Sequence, residues 1–102
     1  MKVLAMSVAT AIALAAAGTV CAQEDLAKSS GCLNCHAVDT KKVGPAFKDV
    51  AAKYKDDASA AGRLADKVRR GGSGNWGSLP MPPNADLSQA DLASLIHWVL
   101  GL

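Results

Sequence analysis

The chain has 102 residues, 11 basic and 9 acidic side chains, a formal charge of +2, and only one Phe, one Tyr and two Trp. That length allows one small domain, and a charge so near neutral excludes the strongly basic surface on which nucleic-acid binding depends. So little aromatic bulk makes a thin core, and domains this small usually need a disulfide, a metal, a cofactor or a partner to hold together.

The chain opens as an export leader. Lys2 supplies a positive start, Val3 to Ala17 are apolar apart from Ser7 and Thr10, and Gly18 to Ala22 form a small-residue end. Val20 and Ala22 occupy the positions that cleavage needs small, so the predicted cut follows Ala22, giving a cleaved signal peptide at 1–22 and one domain at 23–102. A membrane anchor fits less well, because the apolar run is shorter than the roughly 20 residues that span a bilayer and no basic stop-transfer flank follows it. A lipid-modified Cys21 is also disfavoured, because Val20 stands where Ala or Gly normally precedes such a cysteine. Export places the remaining chain in an oxidising compartment, where a free thiol pair does not persist unprotected. That remainder keeps Cys32, Cys35, His36, His97 and Met81.

Four helices follow, and the fold class expected is all-α. Glu24 to Ser30 is a short first helix, with its acids at the favourable N-terminal end of the dipole and Gly31 as its stop. Ala46 to Lys55 follows Pro45, and Phe47, Val50, Ala51 and Tyr54 fall on one helical face. Ser59 to Arg70 is the third helix, with Leu64 and Val68 as its apolar pair, ended by Gly71 and Gly72. In the last helix Ser88 is a good N-cap, Asp91 sits at the third position, and Leu87 can staple onto Leu92. Leu92, Leu95, Ile96, Val99 and Leu100 complete its apolar stripe. Between the last two helices, Gly71 to Leu87 reads as a long connection without strands. Connections of that length in a small domain are usually functional.

Cys32-Leu33-Asn34-Cys35-His36 carries the chemistry. A thioredoxin-like dithiol needs a neighbouring sheet, and no strand pattern supplies one. Structural zinc needs four ligands, and a tetrahedral cage from the adjacent Cys35 and His36 with Cys32 and His97 is awkward. Covalent haem attachment is the reading for which this spacing is the signature. Two thiols three apart on a helical turn face the same way, and the next residue is a histidine able to reach iron. A haem also supplies the missing core.

The second axial position decides function, and its candidates are Met81, His97 or no protein ligand. His97 sits in the last helix as an ordinary surface position. Met81 lies in Leu79-Pro80-Met81-Pro82-Pro83-Asn84, where prolines fix φ on both sides. A gap-filling methionine needs no such brace, whereas a weak thioether ligand gains from a stiff loop that loses little entropy on binding.

Taken together, Cys32-Leu33-Asn34-Cys35-His36, Val43-Gly44-Pro45-Ala46, Asn75-Trp76-Gly77 and Pro80-Met81-Pro82-Pro83-Asn84 resemble the short bacterial class I monohaem cytochromes c. More closely, the chain is similar to the periplasmic type that passes electrons to nitrite reductase or terminal oxidases. The resemblance implies one haem c held by Cys32 and Cys35, with His36 and Met81 as axial iron ligands. It implies that Pro45 offers its carbonyl to His36, that Asn84 donates to the Met81 sulfur, and that Trp76 and Lys67 serve the haem propionates. Phe47 and Tyr54 would pack on the haem, and Gly31 would let the first and last helices cross closely near Trp98.

The function implied is a periplasmic, monomeric one-electron carrier with no enzymatic activity. Its transient redox partners would be a donor such as a membrane cytochrome complex and an acceptor such as a terminal oxidase or nitrite reductase. Leu33, Val43, Leu79 and Pro82 would frame an apolar contact patch, with Lys28, Lys41, Lys42 and Lys48 steering an acidic partner toward it. The alternatives are a haem enzyme or gas sensor with an open or displaceable sixth position, and a dedicated subunit of a larger reductase.

Overall fold

The computed structural model describes residues 22–102. The predicted leader up to Cys21 lies outside the described residues. Helix α1 covers residues 22–29, and a short 3-10 turn at Cys32–Asn34 follows it directly. Helices α2 (Phe47–Lys53), α3 (Ala60–Arg70) and α4 (Gln89–Leu100) complete the helical set. Helix α2 stops two residues earlier than its apolar spacing predicts. The Asp57 N–H turns back onto the Tyr54 carbonyl at 3.1 Å, which diverts the chain toward α3.

Helix α4 begins as predicted, with the Asp91 N–H donating to Ser88 Oγ at 3.1 Å. It packs on α2 and α3, and its stripe supplies much of the core. Ala27 from α1, Phe47 and Val50 from α2, and Leu95, Trp98 and Val99 from α4 form one buried cluster. Phe47 meets Trp98 edge-on at 5.7 Å between ring centres. Gly31 is not the close-approach point between α1 and α4. A β-carbon there would meet only the Asn34 side chain, at 3.7 Å, and the glycine serves instead to reverse the chain at φ 83.

The expectation of a strand-free connection is corrected. Strands β1 (Gly72–Gly74) and β2 (Gly77–Met81) pair antiparallel, with Gly72 opposite Met81 and Gly74 opposite Gly77. Both strands are largely exposed, so no face alternates between core and solvent and the period-2 signal of a strand is missing. Pro80 is tolerated in β2 because a two-stranded ribbon has only edges, where a missing N–H costs little. The domain is therefore mainly helical with one small ribbon, and that ribbon ends on Met81.

Candidate functional site

A cavity of about 650 Å³ opens into the core, within the size range of small-molecule and cofactor sites. Cys32, Cys35, His36, Pro45, Lys67, Trp76 and Met81 all line it. Four separate segments bring them together: the 3-10 turn with His36 just after it, the loop at Pro45 before α2, the end of α3 and the β1–β2 ribbon.

The turn positions the histidine. The Cys35 and His36 N–H groups both donate to the Cys32 carbonyl, at 3.2 and 3.0 Å, winding the motif so tightly that both cysteines reach the cavity. Both thiols are free, and burial pushes the Cys32 thiol up against the lowering pull of its backbone hydrogen bond. His36 Nδ1 lies 2.7 Å from the Pro45 carbonyl, which can only accept, so Nδ1 carries the proton. In the neutral ring that tautomer leaves the lone pair on Nε2, the nitrogen then able to bind a metal. Phe47 stacks on the same ring at 5.0 Å and 22°.

Met81 is half-buried at the end of β2, and its segment is anchored to α3 through the Asn84 N–H, which donates to the Val68 carbonyl at 2.8 Å. The Asn84 side chain does something other than expected. Its Nδ2 donates to the Ser30 carbonyl at 3.2 Å, tying the methionine segment to the end of α1, and Asn84 itself does not line the cavity. In this structure no hydrogen bond joins it to the Met81 sulfur, although the second N–H of the same amide is left for one. Lys67 and Trp76 both reach the cavity wall, and Trp76 is 44% exposed. His97 is exposed on α4 and does not line the cavity.

Two contributors escape sequence reading. Gly44 packs its Cα directly against the His36 ring; the Gly44-Pro45 pair was legible, but only as a source of the carbonyl. Lys53 donates to the Asn75 carbonyl at 3.0 Å and lies 4.6 Å from the centre of the Trp76 ring. In sequence it is one lysine on an exposed helical face, with no signal to single it out.

The residues present fit a covalently held haem. A large, mostly apolar hollow in so small a core asks for an occupant, two unbridged cysteines stand at its wall, and the imidazole of His36 is held by its inner nitrogen, leaving Nε2 for a metal. Trp98, which also lines the cavity, keeps a buried indole N–H without an acceptor. A buried donor of that kind normally finds a partner.

The comparisons agree with this geometry. The family model described as Cytochrome c matches residues 22–102. Cytochrome c-551 of Allochromatium vinosum is 58% identical over 77 residues, covering 76% of this chain and 82% of that one. Cytochrome c-552 of Nitrosomonas europaea is 50% identical over 102 residues, covering 100% of this chain and 99% of the relative. The crystal structure of wild-type Nitrosomonas europaea cytochrome c552 superposes with a TM-score of 0.74 at 54% identity, covering 78% of this chain and 98% of that one.

Proposed function

The chain belongs to the cytochrome c family as a small class I member carrying haem c, and from that premise we propose that it is a periplasmic one-electron carrier with His36 and Met81 as axial iron ligands. The observation that carries this reading is that Cys32, Cys35, His36 and Met81 line one cavity. Bound there, the haem supplies an iron centre that gains and loses one electron.

The chain's own residues do the rest. Cys32 and Cys35 hold the group through thioethers. The Pro45 carbonyl fixes the orientation of His36 and makes its free nitrogen a better donor. The Met81 thioether favours the reduced metal more than a second imidazole would, which sets a higher potential. Held by both His36 and Met81, the iron would offer no position to a substrate, which suits a carrier and not an enzyme. The mostly apolar walls would keep water from the buried side of the group. Lys67 and Trp76, at the cavity wall, are placed to receive the propionates.

Domain limits and location belong to the same proposal. Residues 1–22 are a signal peptide removed on export, and residues 23–102 are the carrier; the family match beginning at residue 22 supports that division. No helix among the described residues is long and apolar enough to cross a membrane. Partners would meet a monomer at the apolar patch. Val43 and Leu79 are 55% and 69% exposed there, while Leu33 is half-buried. Lys48 pairs with Asp39 at 2.6 Å and Lys42 donates to the Leu33 carbonyl at 3.2 Å, so Lys28 and Lys41 are the freer steering charges of the four. A donor such as a membrane cytochrome complex and an acceptor such as a terminal oxidase or nitrite reductase fit such a surface.

The test is the ferric optical spectrum of the exported, haem-loaded protein beside Met81→Ala. The wild type should show the weak near-infrared band of sulfur ligation and resist carbon monoxide when reduced; the variant should lose the band and bind the gas. A wild type that binds carbon monoxide readily would instead establish an enzyme or gas sensor.

A further inference from the structure

We propose that Gly71 is a positioning residue that sets where Met81 stands relative to the cavity, an inference that rests on Met81 serving as the second axial ligand. Helix α3 ends at Arg70, and Gly71 closes it with its N–H donating to the Lys67 carbonyl at 2.7 Å and φ at 74°. A β-carbon on Gly71 would lie 2.5 Å from the Met81 carbonyl oxygen, 2.9 Å from Pro83 N and 3.1 Å from the Pro82 carbonyl carbon. All three are backbone atoms, so none can swing aside as a flexible side chain would. The backbone of Met81 to Pro83 is therefore seated directly on the end of α3.

The seat is bracketed on both sides. Gly72 pairs with Met81 in the β1–β2 ladder, and the Asn84 N–H donates to the Val68 carbonyl at 2.8 Å. Pro82 and Pro83 have fixed φ, so the segment between these anchors has few rotations left with which to absorb a push. Displacement at Gly71 passes to Met81 as a unit. Functional constellations tolerate about 0.5 Å of error before they loosen, and the contact at Gly71 is tighter than any β-carbon can occupy without a shift of that order. The last turn of α3, packed on α4, thus fixes the methionine through one glycine.

The same ribbon contains its own control. Gly74 also has positive φ, at 103°, but a β-carbon there would meet nothing within 4 Å. Gly71→Ala and Gly74→Ala both force an L side chain to positive φ; Gly71, at φ 74° and ψ −176°, stands in a region essentially confined to glycine, and only its variant adds the collision. The measurement is the near-infrared sulfur-ligation band and a cyanide titration of exported, haem-loaded ferric protein, with Met81→Ala as benchmark. Gly71→Ala should weaken the band and tighten cyanide binding about tenfold, because apparent affinity scales with the fraction of molecules whose position is open. Gly74→Ala should keep the wild-type band and cyanide affinity. Equal effects of the two variants, or a wild-type band and affinity in Gly71→Ala, would overturn the proposal. Should Gly71→Ala fail to load haem, the double variant with Pro83→Gly decides. Recovered loading with a weakened band supports the seat, while no recovery, or a wild-type band, refutes it. A band that survives in Met81→Ala would instead remove the ligand assignment on which the inference stands.

Discussion

Gly44 lies so close to His36 that a β-carbon on it would stand 2.6 Å from Cε1 and 2.9 Å from Nδ1 of the imidazole. The ring is thus held between this backbone and the stacked Phe47, with the Pro45 carbonyl fixing its rotation. Gly44→Ala should push the ring off that carbonyl and cost about 1–3 kcal/mol, as overpacking in a tight core usually does. Urea unfolding of the haem-loaded protein measures the loss. Stability equal to wild type would mean that the ring has room to move.

Phe47 joins the histidine to the helical core, stacking on His36 at 5.0 Å and meeting Trp98 at 5.7 Å. It is 7% exposed. Phe47→Ala should therefore cost about 3–5 kcal/mol, the usual range for removing a buried aromatic side chain. The same variant should broaden the His36 ring resonances, since one wall of its slot is gone. A smaller loss with unchanged resonances would place the ring's support elsewhere.

Phe47 was legible as a core position of α2, whereas Gly44 marks where sequence reading stopped. That Cys32, Cys35 and His36 share one cavity wall was legible because haem attachment demands those residue types at that spacing, and Met81 stood out by the prolines on both sides of it. The α4 stripe was legible because burial on one side imposes a helical period. The β1–β2 ribbon was not, because a pair of short exposed strands buries no face and leaves no alternation. Gly44 and Gly71 act by lacking an atom, and what that missing atom would strike depends on a segment elsewhere in the chain. Asn84 was read as serving the methionine sulfur through its amide. One N–H of that amide is hydrogen-bonded to the Ser30 carbonyl, a contact across 54 positions that no local pattern encodes.

Gly62 is the opposite case from Gly44. It lies inside α3, and a β-carbon there would meet nothing within 4 Å. Gly62→Ala should stabilise the protein by about 0.8–1.0 kcal/mol, the difference in helix propensity between the two residues. Thermal unfolding reads the gain, and a loss of stability would show that α3 needs the flexibility.

The Lys53 ammonium lies over the Trp76 ring at 4.6 Å and donates to the Asn75 carbonyl, tying α2 to the glycine-rich turn of the ribbon. Lys53→Met keeps the aliphatic stem and removes the charge. It should cost about 0.5–1 kcal/mol, typical of an exposed cation–π contact. Hydrogen exchange of the turn amides should quicken while those of α4 stay unchanged. Equal quickening in both would point to global destabilisation instead.

The surroundings of Asp57 hold its carboxyl below the ordinary carboxylate range. Ser59 does most of this, donating from Oγ at 2.6 Å and from its N–H at 2.9 Å, with Arg63 adding its charge. Because the folded-state pKa lies below the unfolded one, the unfolded chain binds more protons between the two values. The stabilisation is therefore complete above the unfolded carboxylate value of about 3.9, and it is lost as pH falls through the lower folded value. Asp57→Asn removes the charge but keeps an acceptor for Ser59. The variant should be less stable than wild type at neutral pH, by a small amount at so exposed a site. The gap should stay level down to about pH 4 and close below it. Added salt should narrow it only in part, since salt screens Arg63 but not the Ser59 hydrogen bonds. Urea midpoints for both proteins from neutral pH to below pH 4 test this. A gap that persists unchanged to the lowest pH would mean the carboxylate's charge has no part in starting α3.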